Sequence, residues 1–115
     1  MCMIGRIQNA IVSIVIDIIV RENHIDTKLE NTLQIVKEEV KKAHSPEYDD
    51  EINNLELNIN EYSQTCNFYV LQTKEVDVIL GNSWLKSLGI FTMNVNKNYI
   101  AFEHLTKKIM LHDIN

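Results

Sequence analysis

Val76-Asp77-Val78-Ile79-Leu80-Gly81-Asn82-Ser83-Trp84-Leu85-Lys86-Ser87-Leu88-Gly89 is the stretch on which the reading of the fold turns. Its first five residues form a short β-branched run that stops at Gly81, as a strand does. Asn82 then offers an N-cap, and 83–88 carries Trp84, Leu85 and Leu88 on one face of a two-turn helix, because residues four apart are neighbours on a helix surface. Gly89 stands where a C′ residue closes a helix. A strand, a glycine and a short helix are therefore marked at both ends.

Downstream, Phe91, Met93 and Val95, then Ile100 and Phe102, then Ile109 and Leu111 alternate with polar residues. Asn96-Lys97-Asn98 and Leu105-Thr106-Lys107 separate them, which predicts three consecutive antiparallel strands. Upstream, Leu55, Leu57 and Ile59 alternate with Glu56, Asn58 and Asn60, a strand with one wet face, and 65–71 is its expected partner across a turn at 60–63. At the start, 4–8 and 11–20 are β-branched runs parted by Asn9-Ala10, an opening hairpin. No glycine lies between Gly5 and Gly81, so any turn there that needs φ > 0 is expected to use Asn or Asp. The interval 26–43 reads differently: Leu29, Leu33, Val36, Val40 and Ala43 share a helical stripe, with Asp26 as N-cap and Pro46 ending the pattern.

The chain has 115 residues, 45 % of them hydrophobic and 23 % charged, which suits a single globular domain over 1–115. Eleven basic against sixteen acidic residues give a net charge of −5, and no basic cluster interrupts that balance, so nucleic acid is not an expected partner. Cys2 and Cys66 are too few for a disulfide framework and have no zinc-knuckle spacing, which points to a reducing compartment. The apolar run 11–20 contains Ser13 and Asp17 and falls well short of the roughly 20 residues that span a bilayer. The first residues lack the ordered parts of a signal peptide. A cytoplasmic protein with no membrane partner is the expectation.

One residue stands out chemically. Asp17 places a carboxylate inside the apolar run, where a charge has to find partners or stay protonated. Either it lies on the wet face of an edge strand, or it is partnered at an opening in the sheet. His24, His44, His104 and His112 have no ligand spacing and read as solvated, so no metal is expected. The sequence holds no nucleophile elbow, no phosphate-cradling glycine loop and no cysteine beside a base, so no cofactor is expected either.

Taken in order, Phe68-Tyr69-Val70-Leu71, Val76-Asp77-Val78-Ile79-Leu80-Gly81, Trp84-Leu85, Ser87-Leu88-Gly89 and Phe102-Glu103-His104 resemble the retropepsin-type aspartic protease domain of gypsy-type LTR retrotransposon polyproteins. The first half fits the same pattern through Gly5-Arg6-Ile7, Val15-Ile16-Asp17 and Asn23-His24-Ile25-Asp26. The resemblance implies a mainly-β, acid-protease-like closed barrel with one short helix before the C-terminal strands. It places Asp17 on the catalytic aspartate, implies a homodimer acting on a polypeptide substrate, and shortens the helix of 26–43 to about 26–31. It also implies that terminal strands of two chains interleave, through Met3-Ile4 and through Ile109, Leu111 and Ile114.

Two departures from the family pattern fall at the site. Where the family has Ser or Thr and then Gly after the aspartate, this chain has Ile18 and Ile19. The family's flap hairpin carries glycine, whereas the corresponding region here, about 33–52, has none and is expected to be shortened. The resulting expectation is an aspartic-peptidase-like domain that is inactive or weak. The alternative is a non-catalytic dimerisation or protein-binding module built on the same barrel.

Overall fold

A computed structural model describes residues 1–35, 40–42 and 50–114. Ten strands and two short helices follow in the order β1 (Cys2–Ile7), β2 (Ala10–Ile16), β3 (His24–Asp26), α1 (Thr27–Thr32), β4 (Val40–Lys42), β5 (Asp50–Ile59), β6 (Tyr62–Leu71), β7 (Val78–Leu80), α2 (Asn82–Ser87), β8 (Phe91–Asn94), β9 (Tyr99–His104) and β10 (Lys107–His112). The first seven strands form one sheet in the order β1-β2-β7-β3-β6-β5-β4. A further pairing of β1 with β5, at Arg6 with Asn58 and Ile7 with Leu57, closes six of them into a barrel. The expected acid-protease-like barrel is therefore present, with α1 in addition to the helix before the last strands.

The opening hairpin pairs Cys2 with Val15 through Ile7 with Ala10. β2 then runs parallel to β7, which is antiparallel to β3, which is parallel to β6. Inward residues such as Ile14, Ile25, Leu57, Phe68 and Leu80 are fully buried, as the period-two alternation requires. A second, three-stranded sheet, β10-β9-β8, seats Ile100, Phe102, Ile109 and Leu111. Tyr62, Trp84 and Phe102 join β6, α2 and β9 in edge-to-face contacts, with centroids 5.1 Å apart for Tyr62 and Phe102 and 6.0 Å for Trp84 and Phe102. The Trp84 indole N–H donates to the Tyr62 hydroxyl at 2.9 Å, so the buried polar tip of each ring is matched.

Several expectations need correction. β2 ends at Ile16 rather than continuing to residue 20: the Asp17 N–H still bonds the Leu80 carbonyl at 3.0 Å, but the Asp17 carboxylate takes the Ile19 N–H at 3.0 Å and the next residues leave the sheet. β7 starts at Val78; Asp77 before it is engaged with Ser13, whose N–H donates to the carboxylate at 2.9 Å. Among the described residues of 26–43, helix runs only to Thr32: Leu33 turns extended, and 40–42 is strand. Asp26 is the N-cap of α1, accepting from the Lys28 N–H at 3.1 Å. Positive φ is not confined to Asn and Asp, since Gln8 adopts φ 54° and Lys74 φ 70°. Gln8 is held there by its own side chain, which donates to the Gln34 carbonyl at 2.7 Å and accepts from the Gln34 N–H at 2.8 Å. Most of the flap interval, together with His44 and Pro46, lies outside the described residues. Among the described residues, no helix is long and apolar enough to cross a membrane.

Candidate active site

Asp17 sits one residue beyond the end of β2, half-buried. β2 is flanked by β1 and β7, so the edge-strand reading of Asp17 does not apply; the residue lies where the sheet opens into a loop. The carboxylate accepts the Ile19 N–H at 3.0 Å, a local turn in which an aspartate bonds the backbone two residues on. That turn carries Ile18 and Ile19 outward, and they are 59 % and 90 % exposed. Two residues that read in sequence as the end of a buried strand are instead in water beside the carboxylate.

The rest of the loop is fixed by α2. Asn82 was expected to cap this helix, but the cap position is Gly81 and no side chain supplies the cap bond. The Val20 and Arg21 carbonyls take that role, accepting the Asn82 and Ser83 N–H groups at 2.8 and 2.9 Å. Such close approach of two backbones needs a residue without a Cβ: one built on Gly81 would lie 2.4 Å from the Glu22 carbonyl oxygen and 2.6 Å from that of Val20. This is the physical reason the strand stops in glycine before the helix.

Asn23 locks the other end of the loop, and nothing in sequence reasoning singled out its side chain. It is buried; its Oδ1 accepts the Gly81 N–H at 3.1 Å and its Nδ2 donates to the Asn67 carbonyl at 3.3 Å. Its own carbonyl accepts the Tyr69 N–H at 2.8 Å. One amide thus ties the loop to both β6 and the β7–α2 junction. The only signal available was its place before the buried run His24-Ile25-Asp26.

The ionisable groups behind the loop differ from expectation. His24 is buried in β3, not solvated. Burial holds its imidazole below the ordinary 6.5, against the opposing pull of the Glu22 charge and of the Tyr69 backbone. Asp26 is also buried, and burial alone would raise its carboxyl. Hydrogen bonds win instead: the Thr73 N–H donates at 2.9 Å and the Lys28 N–H at 3.1 Å, with the Thr73 hydroxyl within reach, so the carboxyl is held below 3.8. Among the described residues, no group of three or more His, Cys, Asp or Glu gathers as a metal site.

The sequence model of the retroviral aspartyl protease family matches residues 10–108, nearly the whole of the chain. The chain belongs to that family. The retropepsin-like chain also resembles a solved structure, the retroviral protease-like domain of Ddi1 from Leishmania major, at a TM-score of 0.71 and 16 % identity, covering 88 % of this chain and 82 % of that one. At that identity the likeness concerns the fold. No curated protein sequence matches.

Proposed function

We propose that this retropepsin-like domain derives from a gypsy-type retroelement and is an aspartic-peptidase homologue in which hydrolysis is lost or weak. Asp17 is its one candidate catalytic group, and a working site needs a second copy to bring the second carboxylate. In such a dyad the two acids share a proton, one activating water and the other protonating the scissile carbonyl. The observation that carries the reading is the direction of Ile18 and Ile19, 59 % and 90 % exposed beside Asp17. Neither offers a hydroxyl to orient a carboxylate, and neither allows the backbone approach that glycine permits. Loss of positioning of this kind costs on the order of 100-fold in rate.

The test is peptide cleavage at mildly acid pH by the wild-type chain and by Asp17→Asn. Weak or undetectable hydrolysis, abolished by Asp17→Asn, is the expected result. Efficient, pepstatin-sensitive hydrolysis by the wild type would overturn the inactive reading, and cleavage that survives Asp17→Asn would remove Asp17 from the chemistry. A non-catalytic dimerisation module is the second reading; the apolar exposure of Ile19 and Ile90 favours it.

A further inference from the structure

Separate parts of the chain meet at one position of β6. Ile52 pairs with Phe68 and Leu55 with Cys66, so Asn53 and Asn54 of β5 face Asn67 alone, which is a β-bulge. Asn54 takes φ 60° there, a left-handed backbone that asparagine tolerates better than most residues. Its N–H is met by a side chain, the Asn67 Oδ1 accepting it at 3.0 Å.

The backbone of the same residue serves the loop that follows Asp17. β3 pairs with β6 from His24 and Tyr69 onward, so Asn67 stands just before that ladder begins. Its carbonyl accepts the Asn23 Nδ2 at 3.3 Å, and two residues on the Tyr69 N–H donates to the Asn23 carbonyl at 2.8 Å. Asn23 in turn accepts the Gly81 N–H at 3.1 Å, next to the Asn82 and Ser83 amides that hold the Val20 and Arg21 carbonyls. The β5 bulge, Asn67, Asn23, Gly81 and the loop of Asp17 are thus joined in one run of hydrogen bonds. Asn67 is exposed, so water would satisfy its amide as well as the bulge does. Its orientation therefore answers to position rather than to unmet burial.

We propose that Asn67 is a positioning residue for the Asp17 loop: its side chain fixes β6 to the β5 bulge, and its carbonyl carries that position through Asn23 to Gly81 and α2. This rests on the reading of Asp17 as the candidate catalytic group, and it names what sets that loop. Coupling between distant groups is carried by contiguous hydrogen bonds on rigid elements, and bulges recur beside active sites because they re-aim what lies next to them. Removing the Asn67 side chain leaves the acceptor of the Asn23 bond, a backbone carbonyl, in place. An effect at Gly81 then has to travel through a change of position, not through a lost partner.

Amide hydrogen exchange followed by NMR on the whole chain tests this. Asn67→Ala is expected to speed exchange at Gly81 roughly tenfold, while the amides of β9 and β10 stay within about twofold. It should also move the resonance of Ile19, whose N–H bonds the Asp17 carboxylate at 3.0 Å. Asn67→Asp keeps an acceptor for the Asn54 N–H and is expected to bring Gly81 back to within about threefold of the wild type. Thr65→Ala, at another exposed position of β6, should leave both reporters unchanged. Because Asn67 stands in water the alanine variant should fold, and circular dichroism checks that it does. Exchange that speeds at Asn54 alone, with Gly81 unmoved, makes the contact local to the bulge and overturns the proposal. A rise of equal size across β9 and β10 marks a general loss of stability and overturns it too, as does an Asn67→Asp variant that exchanges no more slowly than Asn67→Ala. None of these outcomes depends on hydrolysis, so cleavage that survives Asp17→Asn would remove the catalytic reading and leave the hold of Asn67 on the loop as measured.

Discussion

Replacing Trp84 by alanine removes the side chain that joins three elements. The indole is buried, lies edge-on to Phe102 at 6.0 Å and to Tyr62 at 6.2 Å, and donates its N–H to the Tyr62 hydroxyl at 2.9 Å. Lost transfer energy and the cavity left behind come to ~3–5 kcal/mol for Trp→Ala in a well-packed core. The bare Tyr62 hydroxyl adds to that, since a buried group without its partner costs about 1–3 kcal/mol. A domain of this size holds roughly 5–15 kcal/mol in all, so the variant should be near the edge of folding. With a slope of about 1.5 kcal/mol per molar urea, a loss of about 4–8 kcal/mol should lower the midpoint by roughly 3–5 M. Trp84→Phe separates the two contributions: it keeps a ring against Phe102, loses the N–H, and should cost about 1–2 kcal/mol. Urea titrations followed by circular dichroism, at one fixed protein concentration so that association is held constant, measure both. An unchanged midpoint for Trp84→Ala would refute the packing of α2 against β6 and β9.

Gly81→Ala should destabilise by more than ~2 kcal/mol, because its Cβ would meet the Glu22 and Val20 carbonyls, while Gly89→Ala, in open space at φ 73°, should cost only the ~1–2 kcal/mol of a left-handed residue; thermal melts rank them. Asp26 has its carboxyl held down in the folded chain, so the stability it contributes is present above 3.8 and is lost as pH falls through the lower folded value; unfolding at a series of acid pH values should show that loss, and Asp26→Asn should flatten it. Burial pushes the Cys66 thiol up to about 11, so alkylation at neutral pH should label the half-buried Cys2 and reach Cys66 only in denaturant; equal labelling of both in the folded chain would contradict the burial of β6. Restoring Ser at 18 and Gly at 19 should leave stability within ~1 kcal/mol, because both isoleucines are exposed, and should yield no more than weak cleavage; robust hydrolysis by that double variant would show that the triplet alone had silenced the site.

The elements with paired punctuation were legible before any coordinates. The strand–Gly–helix unit, the final three strands and the β5–β6 hairpin each had alternation or a helical stripe bounded by turn residues, and alternation reports directly which face is buried. Helix α1 was legible at its start, where Asp26 caps it, and misleading at its end. The stripe from Leu29 to Val40 satisfies a helix as well as it satisfies a turn of helix followed by extended chain. Gln8 shows a limit of another kind: nothing local places a glutamine at positive φ, and what holds it there is backbone 26 residues away.

The candidate site was the least legible part for a reason that follows from the same physics. Isoleucine is read as core because most isoleucines are buried, and the run 11–20 is long enough to be a strand throughout. What ends the strand is a single aspartate, whose N–H still belongs to the sheet, at Leu80, while its carboxylate already bonds the backbone of the turn, at Ile19. The two isoleucines beyond it are thrown outward on a loop that α2 and Asn23 hold in place. Ile90 is likewise exposed, set off from α2 by Gly89 in a left-handed conformation. In sequence these three residues are indistinguishable from core, and in the fold they stand in water because the turn at Asp17 and the left-handed Gly89 each take the chain off the barrel.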